Sequence, residues 1–176
     1  MPNVVETRRL LAALSPYDET EARHRAAMLD LIHAGGDPFT RHRPDPGHFT
    51  ASAFVVYERS LLLVHHRIIG RWLQPGGHIE PTDASPRAAA QREAEEETGV
   101  EGVQSVEPGL FDVDVHQYPA RDSQPAHLHF DLRFLFRTTL PDLRPSPEVA
   151  GAEWVPFAEV GGDLARPVRK LSLPIL

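Results

Sequence analysis

Four glutamates stand within five positions of the segment REAEEETG, residues 92–99: Glu93, Glu95, Glu96 and Glu97. Like charges three or four residues apart on a helix repel each other by about 0.2–0.5 kcal/mol per pair. In a helix, Glu93, Glu96 and Glu97 occupy positions i, i+3 and i+4 and share one face, while Glu95 points nearly opposite. The pattern therefore predicts either a solvated acidic face or a place where a positive ion binds.

Carboxylates that converge on one side of a helix offer only oxygen ligands, and such sites favour hard divalent cations. Mg²⁺ is the first expectation, with Mn²⁺ and Ca²⁺ as alternatives, because Mg²⁺ binds a few carboxylates and keeps positions for water and phosphates. A solvated acidic face usually interleaves Lys or Arg at i+4, and here only Arg92 and Glu96 form such a pair. We therefore favour a metal site over a solvated face.

Local signals delimit the helix that carries these glutamates. Ser85 suits the N-cap, Pro86 suits the first turn, and Gly99 suits the position after the last helical residue. The alanines at 88–90 are strong helix formers. Upstream, the glycines at 76–77 would let the backbone approach a ligand closely.

Length and composition exclude several classes of function. The 176 residues fit one domain with a core large enough to fold alone. A net charge of −7 argues against general binding to nucleic acid or anionic membranes, so an anionic substrate needs local cations. The absence of Cys excludes disulfides, thiolate metal sites and a Cys nucleophile. Because no apolar run reaches membrane-spanning length and the N-terminus lacks a signal-peptide core, we expect a cytoplasmic soluble protein.

Apolar periodicity predicts the elements that position this helix. Residues 4–14 and 17–34 have helical spacing, and Ser15 with Pro16 suits the start of the second helix. Short apolar segments predict strands over residues 49–58, 60–66, 71–81, 109–118, 127–140 and 152–157. The strand over residues 71–81 is expected to be broken by Pro75, Gly76 and Gly77. Helices and strands mix without a strict repeat, so we expect a mixed sheet with helices packed against it.

Two predicted strands carry polar residues at every second position. On the first, Asp112 and Asp114 indicate either a solvated strand face or additional metal ligands. On the second, His127, His129 and Asp131 share one face, which we interpret as open or facing a cleft. We treat His127 and His129 as candidate substrate contacts, with ordinary surface or core histidines as the alternative. A zinc site has no Cys to support it.

Two further segments are candidates for substrate binding. Arg67 and Arg71 follow a predicted strand and are candidate phosphate contacts, with an ordinary surface strand end as the alternative. The polar, Pro-containing loop over residues 119–127 is a candidate substrate loop.

The segment from Gly76 to Val100 resembles the Nudix box. That family pattern is Gly, five free positions, Glu, seven free positions, Arg-Glu, an apolar residue, one free position, Glu-Glu, one free position, Gly and an apolar residue. Residues 92–100 match its second half completely, with Ala94 and Val100 in the apolar positions. The segment EWVPFAEV, residues 153–160, is similar to the usual end of the family's domain.

The first half of the box departs from the family pattern twice. Fourteen residues separate Gly77 from Arg92, one more than in the pattern. The early Glu position is filled by Asp83, or by Ala84 when it is counted back from the helix. One inserted residue near Ala84, with Asp83 in the role of Glu, accounts for both departures.

The resemblance implies an α/β/α sandwich with a mixed β-sheet, to which this chain adds N-terminal helices. The predicted division is an N-terminal helical extension, residues 1–40, packed on a Nudix domain, residues 41–176. The family's usual reaction is Mg²⁺-dependent hydrolysis of a nucleoside diphosphate linked to another group. By similarity, the metal ligands would be Glu93, Glu96, Glu97 and the carbonyl of Gly76. One of the glutamates would act as general base, and Arg92 would orient the carboxylates through Asp83.

Two alternative functions use the same scaffold. A regulatory protein would sense a nucleotide derivative without hydrolysing it, although such a protein has no need for three crowded carboxylates. A Nudix isomerase of prenyl diphosphates usually needs a Cys, and this chain has none. Nucleotide sugars, ADP-ribose, dinucleoside polyphosphates and oxidised nucleoside triphosphates all fit the box as substrates. Since many Nudix proteins are dimers, a homodimer is a further expectation.

Overall fold

The computed structural model of the protein describes residues 3–42, 45–120 and 125–171. Its α-helices, numbered along the chain, are α1 Val4–Ala13, α2 Glu19–His33, α3 Pro86–Thr98 and α4 Ala165–Leu171. Its strands are β1 Gly47–Tyr57, β2 Ser60–His66, β3 Trp72–Leu73, β4 Gly76–His78, β5 Gln104–Ser105, β6 Asp112–Tyr118, β7 His127–Arg137 and β8 Val149–Pro156. Two short 3₁₀ turns, Phe157–Glu159 and Gly162–Leu164, lead into α4.

These strands form one mixed sheet with helices packed on it, which confirms the predicted fold class. β1 pairs in parallel with β7 and antiparallel with β2 and β4. β7 also pairs with β5 and β6, and β2 also pairs with β3 and β8, in each case antiparallel. The β1–β7 pairing therefore joins two segments that are distant in the sequence, and this pairing positions most of the site described below.

Strand register sorts the side chains of β1, β6 and β7 onto two faces of the sheet. His48 and Thr50 lie opposite His129 and Asp131, and Asp114 of β6 lies opposite Asp131 on the other side. Since side chains alternate along a strand, these residues all lie on the same face. The opposite face is apolar, and α2 and α3 pack against it.

Both N-terminal helices belong to the same hydrophobic core as the sheet. Its fully buried members include Leu11, Met28, Phe49, Ala90 and Leu132. Because burying a Leu or Phe side chain contributes about 1.5–3 kcal/mol, α1 and α2 gain their stability from the sheet rather than from helix propensity alone. The boundary at residue 40 between an extension and the main domain stays a prediction.

The glutamate-bearing helix α3 has the ends that the sequence predicts. The Ser85 side chain accepts a hydrogen bond from the Ala88 backbone N–H at 3.1 Å, and Pro86 is the first helical residue. Gly99 ends the helix in the left-handed region with φ of 66°, and its N–H donates to the Glu95 carbonyl. A Cβ at Gly99 would lie 2.8 Å from the Cβ of Arg144, so both backbone conformation and space require glycine here.

Two local predictions are wrong in detail, and one short strand was not predicted. The second helix begins at Glu19 with Asp18 as its N-cap, rather than after Ser15, because the Asp18 carboxylate accepts the Glu21 N–H at 2.8 Å. The strand predicted over residues 71–81 is interrupted before Gly76 rather than at it, so both glycines at 76–77 lie in β4. The short strand β5 has too little apolar pattern to be predicted. Within the described residues, no helix combines the length and apolar character needed to cross a membrane.

Candidate active site

The carboxylates of α3 differ strongly in their exposure. Glu97 is buried, with 8% of its surface exposed, and its Oε2 accepts a hydrogen bond from the Gly76 N–H at 3.1 Å. The Glu93 side chain is 15% exposed and that of Glu96 is 57% exposed. A Cβ on Gly77 would lie 2.8 Å from Oε1 of Glu93, so glycine at this position leaves room for the Glu93 carboxylate as the structure places it. The predicted trio therefore forms one cluster that runs from the interior to the surface.

Arg92 ties this cluster to the preceding loop. Its Nε and Nη2 donate to the two carboxylate oxygens of Asp83 at 2.9 and 3.0 Å. Its Nη1 donates to Glu93 at 2.8 Å and to Glu96 at 2.9 Å. Asp83 is held in turn by the Glu80 backbone N–H at 2.7 Å. The structure thus places Asp83 where the sequence prediction needs an acidic partner for Arg92, and the inserted residue does not disturb that pairing.

If the α3 carboxylates bind Mg²⁺ as the sequence predicts, Asp83→Asn is expected to weaken Mg²⁺ activation by about 10–100-fold, the usual effect of removing a group that orients metal ligands. The reason is that Arg92 loses its bidentate, charged acceptor and no longer fixes Glu93 and Glu96. The measurement is the Mg²⁺ dependence of turnover, in which saturating Mg²⁺ should recover most of the rate. Asp83→Glu should restore part of the affinity, and Asp30→Asn, at an exposed position of α2, is the matched control. An unchanged Mg²⁺ activation curve would show that Asp83 does not position the carboxylates.

Burial sets the electrostatics of the cluster. Burial, followed by the charges of Glu93, Glu148 and Glu96, raises the pKa of Glu97 to about 7 against the opposing effect of the Gly76 N–H. Burial also raises the pKa of Glu93. Burial disfavours the ionised form of such a carboxylate, and a bound divalent cation would stabilise that form by offsetting its negative charge.

Glu148 joins this cluster although sequence reasoning missed it. Its charge helps to raise the pKa of both Glu93 and Glu97. The segment before β8 reaches α3 through backbone hydrogen bonds, from the Ser146 N–H to the Glu97 carbonyl at 2.9 Å and from the Arg144 N–H to Thr98. No local pattern marks a single exposed glutamate, so only the tertiary contact could have identified it.

A cavity of about 990 Å³ opens beside Glu97. Of the predicted site residues, the ones that line it are Gly76, Glu97, Arg71 and His129. The other predicted site residues, all of them described, are not part of the lining: Glu93, Glu96, Arg92, Arg67 and His127. The Arg67 Nε instead donates to the Pro147 carbonyl at 2.8 Å. Residues 121–124 of the predicted substrate loop lie outside the described residues, whereas Pro119 at its start, and Tyr118 at the end of β6, line the cavity.

The polar sheet face forms a large part of the cavity wall. Asp131 accepts hydrogen bonds from Thr50 at 3.2 Å, from Ser52 at 2.7 Å and from Gln74 at 3.2 Å. The Arg133 Nε also donates to Asp131, at 3.0 Å. The interpretation of the β7 face as cleft-facing therefore agrees with the structure, and sequence patterning did not reveal that Asp131 is held by four neighbouring side chains.

Neither sequence interpretation of Asp112 describes its surroundings. Asp112 is fully buried and contacts Arg133 at 3.0 Å, Arg166 at 2.7 Å and Lys170 at 3.2 Å. Cations from β7 and α4 occupy its oxygens, so it is neither a solvated residue nor a metal ligand. Asp114 lines the cavity but is held by Arg133 at 3.1 Å.

The chain is similar in sequence to two bacterial enzymes. A family model described as the NUDIX domain matches residues 46–174. The chain is 33% identical over 152 residues to the isopentenyl-diphosphate Delta-isomerase of Streptomyces coelicolor, covering 77% of this chain and 74% of that protein. It is 30% identical to the protein of the same name from Streptomyces avermitilis, covering 79% and 75%.

Solved structures share the fold. A NUDIX family hydrolase from Clostridium perfringens is 27% identical with a TM-score of 0.55, covering 72% of this chain and 97% of that chain. A MutT NUDIX hydrolase from Burkholderia pseudomallei is 20% identical with a TM-score of 0.54, covering 70% and 96%. An Ap4A hydrolase from C. elegans is 19% identical with a TM-score of 0.55, covering 70% and 94%. The carboxylate helix, the mixed sheet and the match of the family model together place this chain in the Nudix family.

Proposed function

We propose that this protein hydrolyses the pyrophosphate bond of a nucleoside diphosphate linked to another group, with Mg²⁺ as cofactor and Mn²⁺ as an alternative. The observation that carries the proposal is the buried, electrostatically costly Glu97 beside Glu93 at the edge of a large cavity. Such a site gains stability from a divalent cation, and pyrophosphate hydrolysis needs divalent cations to offset the charge on its oxygens.

The residues of the proposed site have separate roles in metal binding, positioning and proton transfer. Glu93, Glu96 and Glu97, with the Gly76 carbonyl, would hold the metal, which supplies charge neutralisation and a lowered pKa for bound water. Arg92 keeps the carboxylates of Glu93 and Glu96 in place, and one of the three glutamates serves as general base. Gly76 allows β4 to lie directly against Ser52 of β1, and Gly77 leaves room for the Glu93 carboxylate.

The cavity also offers cations for the phosphates and the attached group. Arg71 lines it and pairs with the exposed Asp163 at 2.9 Å, a contact worth little because both side chains are largely in solvent. A phosphate therefore competes readily with Asp163 for Arg71. Arg67 and the histidines at 127 and 129 are further candidate substrate contacts. A homodimer in the cytoplasm is part of the same proposal.

Isomerisation of a prenyl diphosphate is the second candidate, because the two curated relatives are named isopentenyl-diphosphate Delta-isomerase. The complete absence of Cys weighs against it, since Nudix isomerases of this kind usually rely on a Cys. A sensor that binds without turnover is the third, and the full carboxylate set weighs against it.

A substrate screen tests the proposal. The full chain is incubated with nucleotide sugars, ADP-ribose, dinucleoside polyphosphates and oxidised nucleoside triphosphates, with Mg²⁺ and Mn²⁺ in separate series. We expect metal-dependent release of a mononucleotide from at least one class, and none after chelation. In a parallel assay the protein is incubated with isopentenyl diphosphate, and formation of its isomer is measured. Isomerisation without any hydrolysis, or nucleotide binding without turnover, would overturn the proposal.

A further inference from the structure

Three buried histidines meet at the inner end of the polar sheet face. His48 lies on β1, and His127 and His129 lie on β7, where His129 is the strand partner of His48. Their rings are 5.0–5.1 Å apart between centroids. One ring nitrogen from each residue lies within 4.8 Å of the other two, and no residue of the three is more than 9% exposed. Three imidazoles in this arrangement can share one small ion.

The hydrogen bonds of the two β7 histidines leave a ring nitrogen of each for a ligand. The His127 Nδ1 donates to the Pro125 carbonyl at 2.8 Å, so its Nε2 is the ring nitrogen left for a ligand. The Nε2 atoms of His127 and His129 are both buried and have no hydrogen-bond partner in the described residues. Buried polar atoms are normally paired, and a bound ion or water is the usual partner of one that no protein group reaches.

Neighbouring aromatic rings orient the three histidines. Tyr118 stacks on His129 at 4.6 Å with 17° between the ring planes, which fixes the direction of the imidazole. The ring of His78 adds a further imidazole 5.1 Å from that of His48.

We propose that His48, His127 and His129 form a second metal site, for a borderline divalent ion such as Zn²⁺. Imidazole nitrogen suits Zn²⁺ and its transition-metal neighbours, whereas Mg²⁺ prefers the oxygen ligands of α3. Three histidines fill three positions of a tetrahedral zinc site and leave the fourth for water or a substrate oxygen. His129 lines the cavity that also contains Glu97, so the two metal sites serve one cavity with different ligand chemistry.

Metal binding by the full chain tests this site without any catalytic assay, so its failure is distinct from failure of the proposed hydrolase function. The chelator-stripped protein is titrated with Zn²⁺ in excess Mg²⁺, with bound zinc measured by mass spectrometry and affinity by competition with a chromophoric chelator. We expect one equivalent of tight zinc. His127→Gln and His129→Gln should each weaken it by about 10–100-fold or more, since each removes a ligand rather than its support. His33→Gln, at an exposed histidine of α2, should bind zinc normally.

Two further measurements keep the test decisive if a histidine variant folds poorly. The Glu93→Gln, Glu97→Gln double variant should retain the zinc that the histidines bind. Co²⁺ in the unmodified protein should give the intense visible absorption of a tetrahedral, nitrogen-bound ion. Three results would each overturn the proposal. They are zinc affinity in the His127 and His129 variants equal to that of the unmodified protein, loss of zinc in the glutamate double variant, and absence of a tetrahedral Co²⁺ spectrum.

Discussion

Replacing Glu97 by Gln is expected to lower hydrolysis by about 10²–10⁴-fold, the range that a positioned acid–base group contributes. Glu97 is the most buried carboxylate of the α3 cluster, so its charge is the one that a bound metal compensates most directly. Gln has nearly the same shape, and its amide oxygen can still accept the Gly76 N–H, so the fold should remain intact. Steady-state kinetics on the best substrate, with Mg²⁺ varied, measure the effect.

Stability without metal provides an independent readout for the same variant. Burial raises the folded-state pKa of Glu97 to about 7, above its ordinary value of 4.5, so ionising this carboxylate destabilises the metal-free fold. The cost grows as pH rises from about 4.5 to about 7, stays constant at higher pH, and is absent in Glu97→Gln. At pH 8 the metal-free variant should therefore be at least as stable as the unmodified protein. Mg²⁺ should raise the melting temperature of the unmodified protein more than that of the variant.

Glu95→Gln is the matched control, because Glu95 lies on the same helix but is exposed and bonded to Gln91 at 2.9 Å. It should retain full turnover and full stabilisation by Mg²⁺. Glu93→Gln should resemble Glu97→Gln. If the Glu93 and Glu97 variants both kept unmodified turnover with Mg²⁺ present, the assignment of the metal to this helix would be wrong.

The candidate site divides into a part that is local in sequence and a part that is not. Helix α3 could be predicted to the residue because Ser85, Pro86 and Gly99 determine its ends through short-range geometry. The spacing of the glutamates then fixes which carboxylates share a face. The pairing of Asp83 with Arg92 was also predictable, since both residues belong to one continuous motif.

The cavity wall could not be predicted because strand register is a long-range property. Alternation along β7 identified His129 and Asp131 as one face, but it could not reveal that His48 lies opposite the first and Thr50 opposite the second. The prediction that Asp112 is either solvated or a metal ligand is wrong for the same reason, because its surroundings depend on long-range contacts. Its pattern resembles that of a solvated strand, and its burial depends on cations from α4.

Replacing Arg133 by Met is expected to lower the free energy of unfolding by about 3–5 kcal/mol, the usual cost of removing one partner from a buried ion pair. The Arg133 side chain is 4% exposed and lies 3.0–3.1 Å from the carboxylates of Asp112, Asp114 and Asp131. Burial opposes its charge, but these three aspartates raise its pKa. Met fills a similar volume, so the loss comes mainly from carboxylates left without their cation rather than from a cavity.

The pH dependence separates this electrostatic cause from a packing defect. Burial alone would raise the pKa of Asp114, yet Arg133, His116 and His24 hold it below the ordinary value of 3.8. A depressed carboxyl pKa stabilises the fold above the ordinary pKa, and that stabilisation is lost as pH falls through the folded-state value. The difference between the unmodified protein and Arg133→Met should therefore be largest near neutral pH and shrink below about pH 4. A lost packing contact would give a difference that does not change with pH.

Urea unfolding at several pH values measures this difference, with Arg137→Met as the matched control. Arg137 lies on the same strand four residues later and is exposed, so its loss should change stability by less than about 0.5 kcal/mol. Asp131 anchors Thr50, Ser52 and Gln74 in the cavity wall, so a variant that folds should also bind nucleotide more weakly. Equal stability of the Arg133 and Arg137 variants would mean that water or rearranged cations replace Arg133, and that the polar sheet face does not depend on it.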